Sequence, residues 1–166
     1  MMVATADGII ARDRKQNVDW SSKEDKKLFV EETKKSGAVI FGENTYQAIG
    51  RHLPNRLNLV LTMKPEKYRE REIKGELEFF KGSPLEVVQY LTAKGFASAV
   101  LGGGAGTNAQ FLKANIVDEL ILTIEPKLFG QGMNFTEGEE LDINLCLTEC
   151  RQLNTNTVML RYKIIK

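Results

Sequence analysis

Cysteine, histidine, tryptophan and proline are scarce in this chain, and neither sign of charge is in excess. Two cysteines, one histidine, one tryptophan and four prolines stand among 166 residues. Cys146 and Cys150 form neither a metal-ligand set nor a C-x-x-C redox pair, and so low a thiol content suits a reducing cytosol rather than a disulfide scaffold. Twenty-three Lys and Arg against 22 Asp and Glu leave a net charge of +1. That balance excludes the electrostatic footprint of a nucleic-acid binder or of a protein drawn to an anionic membrane. No apolar run approaches the roughly 20 residues that cross a bilayer. The opening Met-Met-Val-Ala-Thr-Ala-Asp-Gly has no basic leader with a long apolar segment behind it, so no signal peptide is expected. Repeats, low-complexity tracts and linkers are missing as well. What remains is 42% apolar, enough for the core of one cytoplasmic domain spanning residues 1–166.

The stretch that organises the rest is Ala97 to Leu112, where an apolar run ends in Gly102, Gly103 and Gly104 and a helical pattern begins at once. A strand, a turn without side chains and a helix N-terminus together make a cradle for a phosphate. A plain tight turn is the alternative reading.

The remaining pattern alternates strands with short helices. Strands are expected at Val3 to Ala6, Ala38 to Phe41, Leu57 to Thr62, Leu77 to Phe80 and Val117 to Ile124. Two more, Leu145 to Cys150 and Val158 to Ile165, close the chain as a hairpin. The polar segment Arg12 to Asp19 reads as a surface loop, as does Lys64 to Glu76. Ser21 and Glu24 are spaced as a capping box for a helix running to about Lys35, with Gly37 at its end. Further helices are expected at Glu43 to Ile49 and, with Pro84 in the first turn, from Pro84 to Lys94. The sum is an α/β sandwich of three layers, its central sheet mostly parallel with an antiparallel C-terminal edge strand.

Several stretches in order resemble the dihydrofolate reductase superfamily, which includes the riboflavin-pathway pyrimidine reductases. They are Asp7-Gly8-Ile9-Ile10-Ala11; Trp20 with Asp25 and Phe29; Gly42-Glu43-Asn44-Thr45-Tyr46; Leu53-Pro54-Asn55-Arg56 before Asn58 to Thr62; the glycine triplet; and Val117 to Ile124. The resemblance covers nearly the whole chain. In that family the opening strand is several residues longer.

Asp25, Leu28 and Phe29 fall on one helical face, and a carboxylate on an apolar face is costly unless something pairs with it. The resemblance implies that Asp25 grips a heterocycle through two parallel donors and assists its protonation, with Thr123 as its hydrogen-bonding neighbour. Burial would raise the Asp25 pKa toward general-acid use. The alternative is a helix-dipole anion, a role Glu24 already fills. Trp20 and Phe29 are then an apolar wall, and Arg56 a bidentate partner for a folate carboxylate. Val3 and Ile49 complete the implied substrate pocket.

For the cofactor, the resemblance implies NADPH. Its pyrophosphate would lie between Gly42, Asn44 and Thr45 on one side and Gly102, Gly103, Gly104 and Ala105 on the other. Val3 and Ile10 would flank the nicotinamide, and Thr62, Met63 and Lys64 the adenine ribose. Glu43 and Ala105 stand where relatives often carry a basic residue, and an anion beside a phosphate is repulsive; Lys64 could compensate, so NADPH stays the choice by resemblance and NADH stays open.

Dihydrofolate reduction is the first functional reading, supported by Leu53 to Arg56. Reduction of the ribosylaminopyrimidine of riboflavin synthesis is the second, supported by the Asp7 to Ala11 opening, Asn108, Phe111-Leu112 and Pro126 to Gly132. A non-catalytic nucleotide-binding protein is the third, opposed by Asp25 and Thr123. Gly104-Ala-Gly106-Thr-Asn-Ala109 also fits a G-x-G-x-x-A fingerprint with Glu125 about 20 residues on, but it comes too late in the chain to open a doubly wound sheet. No metal is expected. The protein is a monomer, or a homodimer through the Val158 to Ile165 strand.

Overall fold

Among the described residues, eight strands form two four-stranded sheets. In this computed structural model, which describes residues 1–13, 16 and 19–166, the strands are β1 (Met2–Thr5), β2 (Ala38–Gly42), β3 (Leu57–Leu61), β4 (Leu77–Phe80), β5 (Val100–Leu101), β6 (Glu119–Glu125), β7 (Leu145–Gln152) and β8 (Val158–Ile164). One sheet runs β4-β3-β2-β5 and is wholly parallel; the other runs β1-β6-β8-β7, with β8 antiparallel to both neighbours. The C-terminal strand is thus antiparallel as expected, but it lies inside the sheet. The hairpin folds β7 to the outside, so β7 and not Val158 to Ile164 offers the free edge.

The helices are α1 (Lys23–Ser36), α2 (Glu43–Ile49), α3 (Pro84–Ala93) and α4 (Ala105–Lys113). Side chains on a strand alternate between faces, and β2 divides accordingly. Ala38 and Ile40 pack with Leu57, Leu59, Val87, Leu91 and Phe111 under α3 and α4. Val39 and Phe41 pack with Val60, Tyr46, Phe79 and Phe29 under α1 and α2. Strands buried on both faces read as continuous apolar runs, which is why β2 and β3 were legible.

Two local expectations need correction. Ser22 caps α1, accepting from Asp25 N at 3.2 Å, while Ser21 turns inward and is buried. The Lys64 to Glu76 connection contains a 3-10 helix, Pro65–Arg71, which carries the buried Tyr68. Of the Arg12 to Asp19 segment, residues 14, 15, 17 and 18 lie outside the described residues.

The short opening strand has a visible consequence. β1 pairs with β6 only from Leu122 onward, and on its other side the Met1 amine donates to Leu101 O at 2.8 Å. Burial pushes that amine down to about 5, with Glu32 opposing. Beyond Met1 a cavity of about 720 Å³ opens between the sheets, lined by Val100, Leu101, Leu120, Ile121 and Phe111 among others. It includes neither Asp25 nor Thr123, so it belongs to the seam and not to the candidate chemistry.

Asn58, fully buried on β3, ties the entry to the sheet. Its Oδ1 accepts from Leu53 N at 2.8 Å, and its Nδ2 donates to the carbonyls of Leu53, Arg56 and Glu76 at 2.8, 3.0 and 2.9 Å. Replacing it with leucine strands those groups in the interior. Asn58→Leu is expected to cost about 2–4 kcal/mol, read as a lowered denaturant midpoint.

Candidate active site

The site assembles where the C-terminal ends of β2, β5 and β6 meet the first turn of α1. Asp25 is 6% exposed there and Thr123, on β6 opposite Val3 of β1, is fully buried. Burial pushes the Asp25 carboxyl above the ordinary aspartate range and the Glu125 charge adds to the effect; the hydroxyls of Thr123 and Ser21 and the Lys26 ammonium oppose it. Those two hydroxyls lie beside the carboxylate. Among the described residues, Ser21 Oγ and Thr123 Oγ1 have no other partner, and Trp20 Nε1, one residue before Ser21, is the remaining buried side-chain polar atom that lacks one. Buried polar atoms are normally paired, so such a cluster marks where a ligand's donors and acceptors go.

The neighbouring wall is built from the opening loop. Asp7 accepts from Thr5 Oγ1 at 2.5 Å and from the backbone N–H of Phe129 and Gly130 at 3.1 and 2.7 Å. These bonds hold its carboxyl below the usual range. They also fix Phe129, whose ring meets Trp20 edge-on at 5.1 Å. Phe29 packs on Phe41 at 6.4 Å. Glu125 accepts from Ser22 N at 2.8 Å and from Thr157 Oγ1 at 2.9 Å, which pins the start of α1 to β6 and β8.

The glycine cradle takes the expected form. Gly103 has φ +92°, and the Gly103–Gly104 peptide is cis. Gly42 N donates to Gly103 O at 2.7 Å, joining the ends of β2 and β5. A Cβ at Gly42 would lie 2.5 Å from Thr107 Oγ1, and one at Gly104 2.9 Å from Thr45 Oγ1, so both positions need glycine. No side chain caps α4, and its first-turn N–H groups have no intrahelical acceptor. Ala105 and Ile10 pack together with Ala4 beneath the turn. Asn108 donates to Phe135 O at 3.0 Å, a packing role.

The sites at the β3 end are divided. Thr62 is buried, whereas Met63 is 71% exposed and Lys64 is exposed. Glu43 binds Thr62 at 2.5 Å and the Tyr68 hydroxyl, a contact the sequence did not signal because Tyr68 lies in a stretch read as loop. Asn44 is exposed, and Ile49, at the end of α2, is 37% exposed. Arg56 is buried and already engaged. Its Nε donates to Pro54 O at 3.1 Å, and its Nη1 donates to Val30 O at 3.3 Å and to Thr33 Oγ1. The guanidinium therefore anchors α1 to the β3 entry instead of standing as an open fork.

A glycine-lined turn between parallel strand ends, facing an acid on the first helix, defines the dihydrofolate reductase-like α/β class. Solved structures agree on that fold. A pyrimidine reductase-like protein from Corynebacterium diphtheriae superposes with a TM-score of 0.83 at 15% identity, covering 99% of this chain and 90% of that one. A dihydrofolate reductase from Enterococcus faecalis superposes at 0.68 with 22% identity, covering 99% and 94%. The RibD C-terminal domain family matches residues 57–159, and the chain belongs to that family. The protein YyaP of Bacillus subtilis (strain 168) is 23% identical over 172 residues, 97% of this chain and 91% of YyaP. Among the described residues no helix is long and apolar enough to cross a membrane. The G-x-G-x-x-A fingerprint falls at the fifth strand, and Glu125 binds Ser22 and Thr157, so the doubly wound alternative is set aside.

A raised carboxyl pKa has a consequence for stability. The folded protein holds the Asp25 proton to higher pH than the unfolded chain does. The contribution of Asp25 to stability is therefore fullest below the ordinary aspartate range and falls as pH rises through the raised value. Asp25→Asn removes that loss. Its thermal midpoint at pH 7 is expected a few degrees above that of the unmodified chain, with a flatter dependence on pH.

Proposed function

We propose that this protein is a reductase that adds a hydride and a proton across the C=N bond of a small nitrogen heterocycle, with Asp25 as the acid. The observation that carries this reading is the buried Asp25 carboxylate with two hydroxyls beside it, Ser21 Oγ and Thr123 Oγ1, that have no other partner. An aminopyrimidine or pterin edge offers parallel N–H donors to such a carboxylate and an acceptor to a neighbouring hydroxyl or indole N–H.

The cradle fits a dinucleotide pyrophosphate, because the turn from Gly102 to Gly104 carries no side chains and the α4 N-terminus presents free N–H groups. A reduced nicotinamide dinucleotide bound there supplies the hydride. Asp25 holds the heterocycle's edge and keeps a proton available for the nitrogen of the C=N bond as the carbon gains the hydride. Thr123 orients the carboxylate, and Trp20, Phe29 and Phe129 exclude water from the transfer. NADPH is the cofactor the family resemblance implies.

Two substrates suit this chemistry. A ribosylaminopyrimidine, reduced as its open-chain imine, is favoured by the RibD family match and by the engagement of Arg56, which leaves a glutamate tail without its open fork. Dihydrofolate is the second reading, favoured by the acid on α1 and by the Leu53 to Arg56 sequence.

The test follows loss of reduced-nicotinamide absorbance with each substrate. Turnover is expected with one of them, falling as pH rises through the raised Asp25 pKa. Asp25→Asn should lower it about 100-fold or more at neutral pH while dinucleotide binding persists. Full activity in that variant would remove the proposed acid.

A further inference from the structure

Which dinucleotide the site selects is decided at the end of the cleft farthest from Asp25. In the sheet order β4-β3-β2-β5, β3 lies on the opposite side of β2 from β5 and from the Asp25 chemistry. A dinucleotide with its pyrophosphate at the glycine turn and its reactive ring toward Asp25 must send its adenosine arm across Gly42 to the end of β3. Glu43 and Thr62 stand there, joined side chain to side chain.

We propose that Glu43 makes this site select a dinucleotide with an unmodified adenosine ribose, NADH, over one bearing a 2′-phosphate, NADPH. The proposal rests on the reductase reading above and refines it.

The carboxylate is held in place from two sides. Oε2 accepts from Thr62 Oγ1 at 2.5 Å; Oε1 accepts from the Tyr68 hydroxyl and from Gln47 Nε2 at 3.4 Å. Tyr68 is itself fixed, stacked on Phe79 with centroids 4.4 Å apart. The bonds from Thr62 and Tyr68 hold the Glu43 carboxyl below the usual glutamate range, so it is an anion at neutral pH. Lys67 and Lys64 act in the same direction with smaller effect, and both side chains are exposed.

An ionised carboxylate is an acceptor only, with about four lone-pair positions. Three donors already reach this one, which leaves room for one more. A ribose hydroxyl is such a donor. An acidic side chain receiving the ribose 2′-hydroxyl is also the general solution to NAD recognition on other folds. A 2′-phosphate brings no donor at neutral pH and sets like charge against like charge. Ala105, buried against Ala4 and Ile10, supplies no cation to offset it, and the nearest cations, Lys67 and Lys64, are exposed and already interact with the Glu43 charge.

Binding of NADH and of NADPH to the unmodified chain is measured by calorimetry, without substrate, at two salt concentrations. NADH is expected to bind about tenfold or more tighter, with the gap narrowing as salt rises. AMP against its 2′-phosphorylated form should repeat the preference. Glu43→Gln should bring the two dinucleotides toward parity by strengthening NADPH, and Glu43→Arg should reverse the order. NADPH binding as tightly as NADH, or a ratio unmoved in Glu43→Gln, overturns the proposal while leaving the reductase reading intact. Binding of neither dinucleotide removes both. Should the variants fail to fold, the ratio in the unmodified chain decides alone.

Discussion

Burying the Asp25 carboxylate costs free energy that the polypeptide does not return by itself, and the surrounding architecture is arranged to keep that carboxylate in place. Ser22 caps α1 through the Asp25 amide, Glu125 holds the Ser22 amide, and Thr157 holds Glu125 from β8. Two strands and a helix start are thereby fixed around one acid. The hydroxyls nearest to it, Ser21 and Thr123, have no other partner, an arrangement that suits the ligand site proposed above.

The second constraint is close backbone approach at the strand ends. The Gly42 to Gly103 bond draws β2 and β5 together, and Thr45 and Thr107 occupy the space that side chains at Gly104 and Gly42 would need. On the proposed reading the cleft carries a carboxyl group at each end, Asp25 toward the substrate and Glu43 toward the adenosine, on either side of the glycine turn. A ligand suited to both must be rich in donors at its extremities and anionic in its middle.

Features governed by local pattern were legible in the sequence. The glycine triplet announced its turn, the apolar runs of β2 and β3 announced buried parallel strands, and Asp25 on an apolar helical face announced a carboxylate needing a partner. Features that depend on distant partners were not. Ser21 and Ser22 are neighbours of one type, and Glu24 three residues on favoured Ser21 as the cap; tertiary packing turned Ser21 toward Asp25 instead. Arg56 carried a motif that suggested an open fork, but its partners Val30 and Thr33 lie on α1 and only the fold brings them near. The Glu43 to Tyr68 bond spans a 3-10 helix with no periodic signature. The inside position of β8 follows from which way a hairpin folds onto β6, which the alternation of either strand does not specify.

The seam ahead of Met1 bears on how the protein can be handled. The Met1 amine donates to Leu101 O on β5 at 2.8 Å, beside the cavity lined by Leu101 and Ile121. Lys166 is exposed and pairs with the surface carboxylate of Asp118 at 2.7 Å. An affinity handle attached after Lys166 leaves the Met1 to Leu101 bond as it is, whereas one attached before Met1 turns that ammonium donor into an amide.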